Sequence, residues 1–98
     1  MSVIRHVIAR GRVQGVGYRT FVEAEALARG LEGWVRNRRD GTVEALFTGE
    51  DAVVVDMIEA CRQGPFAARV DRIDQRGGTA EELGLRRPGE AFSVLATA

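Results

Sequence analysis

Apolar and polar residues alternate along several segments of the chain, as they do in strands that bury one face of a sheet. The first such segment, 3–13, is rich in β-branched residues. Further strands are predicted at 32–39, 42–48 and 67–75, and a short segment at 91–96 would add a fifth. The pattern therefore predicts a sheet of four to five strands.

Two other segments repeat apolar residues every three or four positions, which is typical of a helix with one buried face. The first is predicted at 20–30, with Thr20 and Glu23 as a capping box and Gly30 as its end. The second is predicted at 51–63 and ends before Gly64. The predicted buried faces are Phe21, Ala24, Leu27, Ala28 and Leu31 in the first helix and Val54, Met57, Ile58 and Cys61 in the second.

Asp40 and Gly41 separate the second and third predicted strands. An Asp-Gly pair at such a place indicates a tight hairpin, whose two central residues both have positive φ. The element order is then β-α-β-β-α-β with a short additional strand. This order predicts an α+β, ferredoxin-like split βαβ sandwich, with an antiparallel sheet carrying two helices on one face.

This topology brings two distant segments together. The loop after the first strand and the hairpin around Asp40 are expected at the same end of the sheet, although they are separated along the chain. No linker or low-complexity segment divides residues 1–98, so a single domain is expected.

Composition narrows the classes of function. The chain has 14 basic and 14 acidic residues, so it lacks the excess of positive charge that is usual in nucleic-acid-binding proteins. All the basic residues are arginines. No apolar run is long enough to span a membrane, and Arg5 and Arg10 interrupt any N-terminal signal core. A cytoplasmic monomer with no nucleic-acid or membrane partner is the expectation.

The segment Gly11–Thr20, GRVQGVGYRT, has the features of an anion-binding loop. Glycines at 15 and 17 let backbone N–H groups turn inward, and the helix that follows begins with unpaired N–H groups and partial positive charge. Arg19 could hold two oxygens of a phosphoryl group. From spacing alone, an ordinary glycine-rich connection with a solvated arginine explains the segment equally well, and neither the Walker nor the Rossmann pattern is met.

Two long segments of the chain resemble the signature motifs of the acylphosphatases. The first, GRVQGVGYR, matches at Gly11, Val13, Gln14, Gly15, Val16 and Arg19. The second, GWVRNRRDGTVEALFTG, matches at Gly33, Trp34, Val35, Asn37, Gly41, Val43 and Gly49. Later segments from Gly64 and Pro88 also resemble the family, so the resemblance covers nearly the whole chain.

The resemblance implies an enzyme that hydrolyses the carboxyl-phosphate bond of a small acyl phosphate, with neither metal nor cofactor. Arg19 would bind the phosphate and Asn37 would orient the attacking water. The substrate-binding loop would comprise Gln14, Gly15, Val16, Gly17, Tyr18 and Arg19. Without the resemblance, Asn37 would be interpreted as a solvated residue beside a turn.

The chain departs from the family pattern at several positions. Tyr18 stands where phenylalanine is usual, and its hydroxyl needs a partner if the ring is buried. Ala9 is smaller than usual, Arg38 and Arg39 add cations beside Asn37, and the contribution of the C-terminal LATA segment is open.

Other chemistry-bearing residues are interpreted as structural. His6 is expected to be packed or exposed within a strand, Cys61 to lie in the core, and Trp34 to be a packing residue. No metal-ligand spacing is present.

Two alternatives to a free-standing enzyme remain. One is a ferredoxin-like module that binds RNA or a regulatory ligand, for which Phe47 alone is a weak signal. The other is a domain of a larger carbamoyl-handling assembly.

Overall fold

The computed structural model describes residues 1–98 and contains one five-stranded sheet. Its elements follow the predicted order, with one additional short helix between the last two strands. They are β1 (Ser2–Arg12), α1 (Tyr18–Ala28), β2 (Glu32–Asn37), β3 (Val43–Glu50), α2 (Asp51–Gln63), β4 (Arg69–Gly77), α3 (Ala80–Leu83) and β5 (Phe92–Val94).

The strands are arranged in the order β4-β1-β3-β2-β5. Four of them form antiparallel pairs, and β5 runs parallel to β2. The sheet is therefore mixed, and the prediction of an antiparallel sheet holds for all strands except β5. That strand follows a long crossover from β4, so no hairpin dictates its direction. None of the helices has the length and apolar character needed to cross a membrane.

The main hydrophobic core lies between the sheet and helices α1 and α2. Val7, Val35 and Phe47 point into it from the strands, and Val22 and Met57 meet them from the helices. The opposite face of the sheet carries Trp34 and Leu46, which are also fully buried. The 78–91 segment, including α3, covers part of this second face, where the Trp34 indole N–H donates to the carbonyl of Glu82 at 2.7 Å.

Helix α1 begins earlier than predicted, and its predicted buried face is confirmed only for Phe21, which packs against the core, and for Leu31, which is buried just after the helix. Tyr18, Val22 and Ala26 are its buried residues, whereas Leu27 is 51% exposed and Ala24 and Ala28 are exposed. Beginning the helix at Tyr18 adds a large apolar ring to the i, i+4, i+8 stripe, which rotates the buried face away from the one predicted.

The predicted capping box is also wrong. Gly17 is the N-cap, in the left-handed conformation, and no side chain caps α1. A capping box does occur at α3, between Thr79 and Glu82, in a segment where the sequence pattern predicted neither a helix nor a strand.

The hairpin between β2 and β3 has a longer loop than the predicted two-residue turn. The Arg38 N–H donates to the Thr42 carbonyl at 2.9 Å, and the Gly41 N–H donates to the Arg38 carbonyl at 3.1 Å. Gly41 has φ 92°, but Asp40 does not have positive φ. This is a three-residue loop in which glycine alone takes the left-handed conformation.

Candidate active site

The loop after β1 and the β2–β3 hairpin lie at the same end of the sheet, as the topology predicted. Between them is a small cavity of about 90 Å³. Its lining residues are Val13, Gly15, Gly17, Tyr18, Arg19, Thr20 and Asn37. The two predicted catalytic residues, Arg19 and Asn37, therefore share one cavity.

The backbone from Gln14 to Thr20 presents a run of unpaired donors. None of the N–H groups in this segment donates to a backbone carbonyl of the chain, and the first such bond of α1 runs from Phe21 to Gly17. Gly15 and Gly17 have φ 72° and 82°, which residues with a Cβ adopt only with strain. Successive N–H groups around left-handed residues form concave anion-binding nests, and the start of a helix adds partial positive charge.

Arg19 is half-buried at the wall of the cavity. It forms no ion pair, although most arginines of this chain do. A guanidinium without a carboxylate partner is available to an anionic ligand.

Asn37 lies at the end of β2 on the other side of the cavity. Its side-chain oxygen is buried and has no hydrogen-bond partner. Buried polar atoms are nearly always paired in folded proteins, so an unpaired one in a cavity wall suits a ligand or a bound water. The main chain of Asn37 is held firmly, because its carbonyl accepts from the Ala98 N–H at 3.0 Å.

Gln14 and Val16 belong to the predicted loop but do not line the cavity. The side-chain amide of Gln14 instead donates to the carbonyls of Arg38 and Thr42, at 2.7 and 2.8 Å. Val16 packs against the hydrophobic core. Sequence spacing could not show the Gln14 contacts, since they join residues 24 and 28 positions apart.

Tyr18 lines the cavity but its ring points into the core. It is 2% exposed, and its hydroxyl donates to the Cys61 carbonyl at 2.7 Å. Burial, with smaller contributions from Cys61, raises the pKa of Tyr18 far above its ordinary value, so the phenol stays neutral. Cys61 is itself buried in the core, as predicted, and burial raises the pKa of its thiol to about 12.

The hairpin that carries Asn37 is fixed by Asp40. The Asp40 carboxylate accepts from the Thr42 hydroxyl at 2.6 Å and from the Thr42 N–H at 3.0 Å. These hydrogen bonds hold the pKa of Asp40 below its usual range. Arg39 is exposed, and Arg38 approaches the Glu44 carboxylate at 3.9 Å.

His6 is on the opposite face of the sheet, outside this cavity. Its Nε2 lies 2.6 Å from Glu44, which also accepts from Arg36 at 2.7 Å. Burial acts to raise the pKa of Glu44, but these hydrogen bonds and charges outweigh it and lower the pKa. No group of three or more His, Cys, Asp or Glu side chains is placed to hold a metal ion.

Two larger cavities, of about 280 and 240 Å³, have walls whose charges are already paired. Between α1 and α2, Arg29 binds both Glu25 and Asp56, each at 2.9 Å. Beside β4, Arg10 binds Asp74 at 2.8 Å. The smaller cavity is the one that combines a free cation with a buried, unpaired acceptor, so we identify it as the candidate active site.

Comparison with known proteins gives a consistent assignment. The acylphosphatase family model matches residues 5–85. An acylphosphatase of Bradyrhizobium diazoefficiens is 61% identical over 94 residues, covering 96% of this chain and 95% of that protein. One from Rhodopseudomonas palustris (strain BisB18) is 56% identical over 96 residues, covering 98% and 97%.

The solved structures agree with the sequences. The crystal structure of an acylphosphatase from Bacillus subtilis superimposes with a TM-score of 0.81 at 36% identity, over 97% of this chain and 99% of that one. The ferredoxin-like α+β fold and the assignment as an enzyme are thereby confirmed. Phe47 is not available for RNA stacking, because it is buried against Phe92 with ring centroids 5.9 Å apart. The chain therefore belongs to the acylphosphatase family, whose reaction is the hydrolysis of acyl phosphates.

Proposed function

We propose that this chain hydrolyses the carboxyl-phosphate bond with Arg19 and the 14–20 amides on the phosphoryl group and Asn37 on the attacking water. The observation that carries the proposal is the shared cavity, which pairs an unpartnered guanidinium with a buried, unpaired amide oxygen. Arg19 and Asn37 belong to the same chain, and we propose that the chain acts as a monomer.

The phosphoryl group is the part of the substrate that the site fits. The guanidinium of Arg19 can hold two of its oxygens, and the N–H groups of the loop can hold the remaining negative charge. These donors are in place before substrate arrives, so they stabilise charge in the transition state without reorganising. Positioning and electrostatic stabilisation of this kind can account for most of the catalysis of a phosphoryl transfer.

Asn37 supplies the other half of the site. Its oxygen can accept a hydrogen bond from a water, which aims the lone pair of that water at phosphorus. As the new O–P bond forms, the bond from phosphorus to the acyl oxygen breaks and its electrons leave with the carboxylate. The products are a carboxylate and inorganic phosphate.

Proton transfer requires no side-chain base in this scheme. The only titratable side chains in the cavity wall are Arg19 and Tyr18, and the Tyr18 hydroxyl is bound to Cys61 in the core. A phosphoryl oxygen of the substrate therefore takes the proton of the water. A carboxylate is a weak base and a good leaving group, so it leaves without a general acid.

Hydrolysis of acetyl and benzoyl phosphate in the presence of EDTA tests the proposal. We expect rapid release of phosphate that the chelator does not reduce, and a loss in kcat/KM of about 100- to 1000-fold in Arg19→Ala. Arg87→Ala is the matched control, because Arg87 is exposed and paired with Glu90 in the β4–β5 crossover. Activity that EDTA abolishes, or that survives in Arg19→Ala, would contradict the proposed mechanism.

A further inference from the structure

The two halves of the candidate site are joined only weakly by the main chain. Strand β1 pairs with β3 from Ser2↔Glu50 to Ala9↔Val43, and beyond that point it pairs only with β4. No backbone hydrogen bond connects the 13–17 loop to the 38–42 loop of the hairpin. The cavity lies in the gap that this separation opens.

The side chain of Gln14 crosses the gap. Its amide donates one N–H to the Arg38 carbonyl at 2.7 Å and the other to the Thr42 carbonyl at 2.8 Å. A primary amide has two N–H donors, so both are used. The same two carbonyls accept from Gly41 and Arg38 within the hairpin. Gln14 thus binds at the neck of the hairpin, directly beside Asn37.

We propose that Gln14 is a positioning residue that sets the distance between Asn37 and the phosphate-binding loop. The proposal rests on the function proposed above, in which Asn37 aims a water at a phosphoryl group held by that loop. The hairpin fixes Asn37 relative to β3 through the Asn37↔Val43 pair, whereas Gln14 fixes it relative to the loop. Because in-line attack depends on this distance, a shift of about 1 Å is enough to slow catalysis substantially.

Gln14→Met removes both donors while keeping a side chain of similar length. We expect kcat for benzoyl phosphate to fall by about 10- to 100-fold, which is the effect of a small misplacement. The inhibition constant of inorganic phosphate should change by less than about twofold, because the loop amides and Arg19 are unchanged. Gln75→Met, at an exposed position of β4 outside the candidate site, is the matched control and should retain wild-type kcat.

A double-mutant cycle separates positioning of Asn37 from a general structural role. In an Asn37→Ala background, Gln14→Met should lower kcat by less than about threefold, because the group that it positions is gone. A loss as large as in the wild-type background would overturn the proposal. So would an unchanged kcat in Gln14→Met alone, or a rise in the phosphate inhibition constant that matches the loss in kcat.

Gln14→Glu tests the same contact in a second way. At neutral pH its carboxylate faces two carbonyl oxygens, so kcat should fall at least as far as in Gln14→Met. Below about pH 5 the protonated side chain donates one hydrogen bond again, so kcat relative to wild type should partly recover. A pH profile parallel to that of wild type would overturn the proposal.

The outcome for Asn37→Ala alone reports separately on the proposed function. If that variant keeps wild-type kcat, the proposed role of Asn37 fails first. If it loses activity while the cycle is additive, only the role of Gln14 fails.

Discussion

At the scale of single residues, the site depends on groups that the fold leaves without partners. Most charged side chains form ion pairs or hydrogen bonds within the chain. Arg19, however, has no carboxylate partner, and the side-chain oxygen of Asn37 is buried and has no hydrogen bond. A buried acceptor without a hydrogen bond costs about 1–3 kcal/mol. Such a cost is offset when a ligand or water occupies the site.

Asn37→Ala should lower kcat by about 100- to 1000-fold, because it removes a preorganised group of the transition state. The inhibition constant of inorganic phosphate should stay near its wild-type value, since Arg19 and the loop amides remain. Steady-state kinetics with phosphate as inhibitor measure both quantities, and a melting curve shows that the variant is folded. A variant that hydrolyses acyl phosphates at the wild-type rate would contradict the role of Asn37.

The sequence predicted Arg19 and Asn37 as site residues, and the structure places both in one cavity, but the sequence did not predict their surroundings. Both residues belong to long motifs, so the spacing of the motif residues along the chain is enough to predict them. Gln14 was expected in the phosphate-binding loop through its backbone amide, and the sequence made no prediction for its side chain, which contacts the hairpin. Contacts across such a separation depend on the packed geometry of the loop, which periodicity does not describe.

At the scale of elements, the start of α1 connects the site to the core. Tyr18 is the first residue of the helix, and its ring and hydroxyl anchor the helix to α2 through the Cys61 carbonyl. That carbonyl lies in the last turn of α2, where carbonyls have no partner within the helix. The sequence predicted the extent of α2, but it placed the start of α1 at Thr20 because the capping signal there is strong in isolation. Tertiary burial of Tyr18 outweighed it.

Tyr18→Phe should lower the free energy of unfolding by about 1–3 kcal/mol, because it leaves the buried Cys61 carbonyl without a hydrogen bond. Activity should be unchanged, because the Tyr18 hydroxyl is bound to the Cys61 carbonyl in the core. Urea denaturation and steady-state kinetics on the same preparation test both parts. A large loss of kcat without a loss of stability would show that the hydroxyl has a role in catalysis.

At the scale of the whole molecule, the chain has no net charge, and the Glu44 carboxylate forms ion pairs that are largely removed from solvent. The buried His6 and Glu44 and the half-buried Arg36 lie on the face of the sheet opposite the helices. The pKa of Glu44 is lowered in the folded state, so its ionised form stabilises the fold above the ordinary pKa of a glutamate. This stability is lost as pH falls below that value and through the lowered pKa.

Glu44→Gln should therefore reduce the free energy of unfolding at pH 7 by about 1–3 kcal/mol. It should also reduce the decline in stability below about pH 4.5, since the titrating group is gone. Urea denaturation across this range measures the effect. Glu59→Gln, at an exposed position of α2, is the control and should keep the wild-type slope. An unchanged slope in Glu44→Gln would show that other carboxylates govern acid unfolding.

A crystal structure with bound phosphate tests the central claim most directly. The anion should lie against the N–H groups of residues 14–20 and the Arg19 guanidinium, with Asn37 facing it across the space of one water. An anion bound elsewhere while this cavity stays empty, or an Asn37 side chain turned away from the anion, would contradict the account.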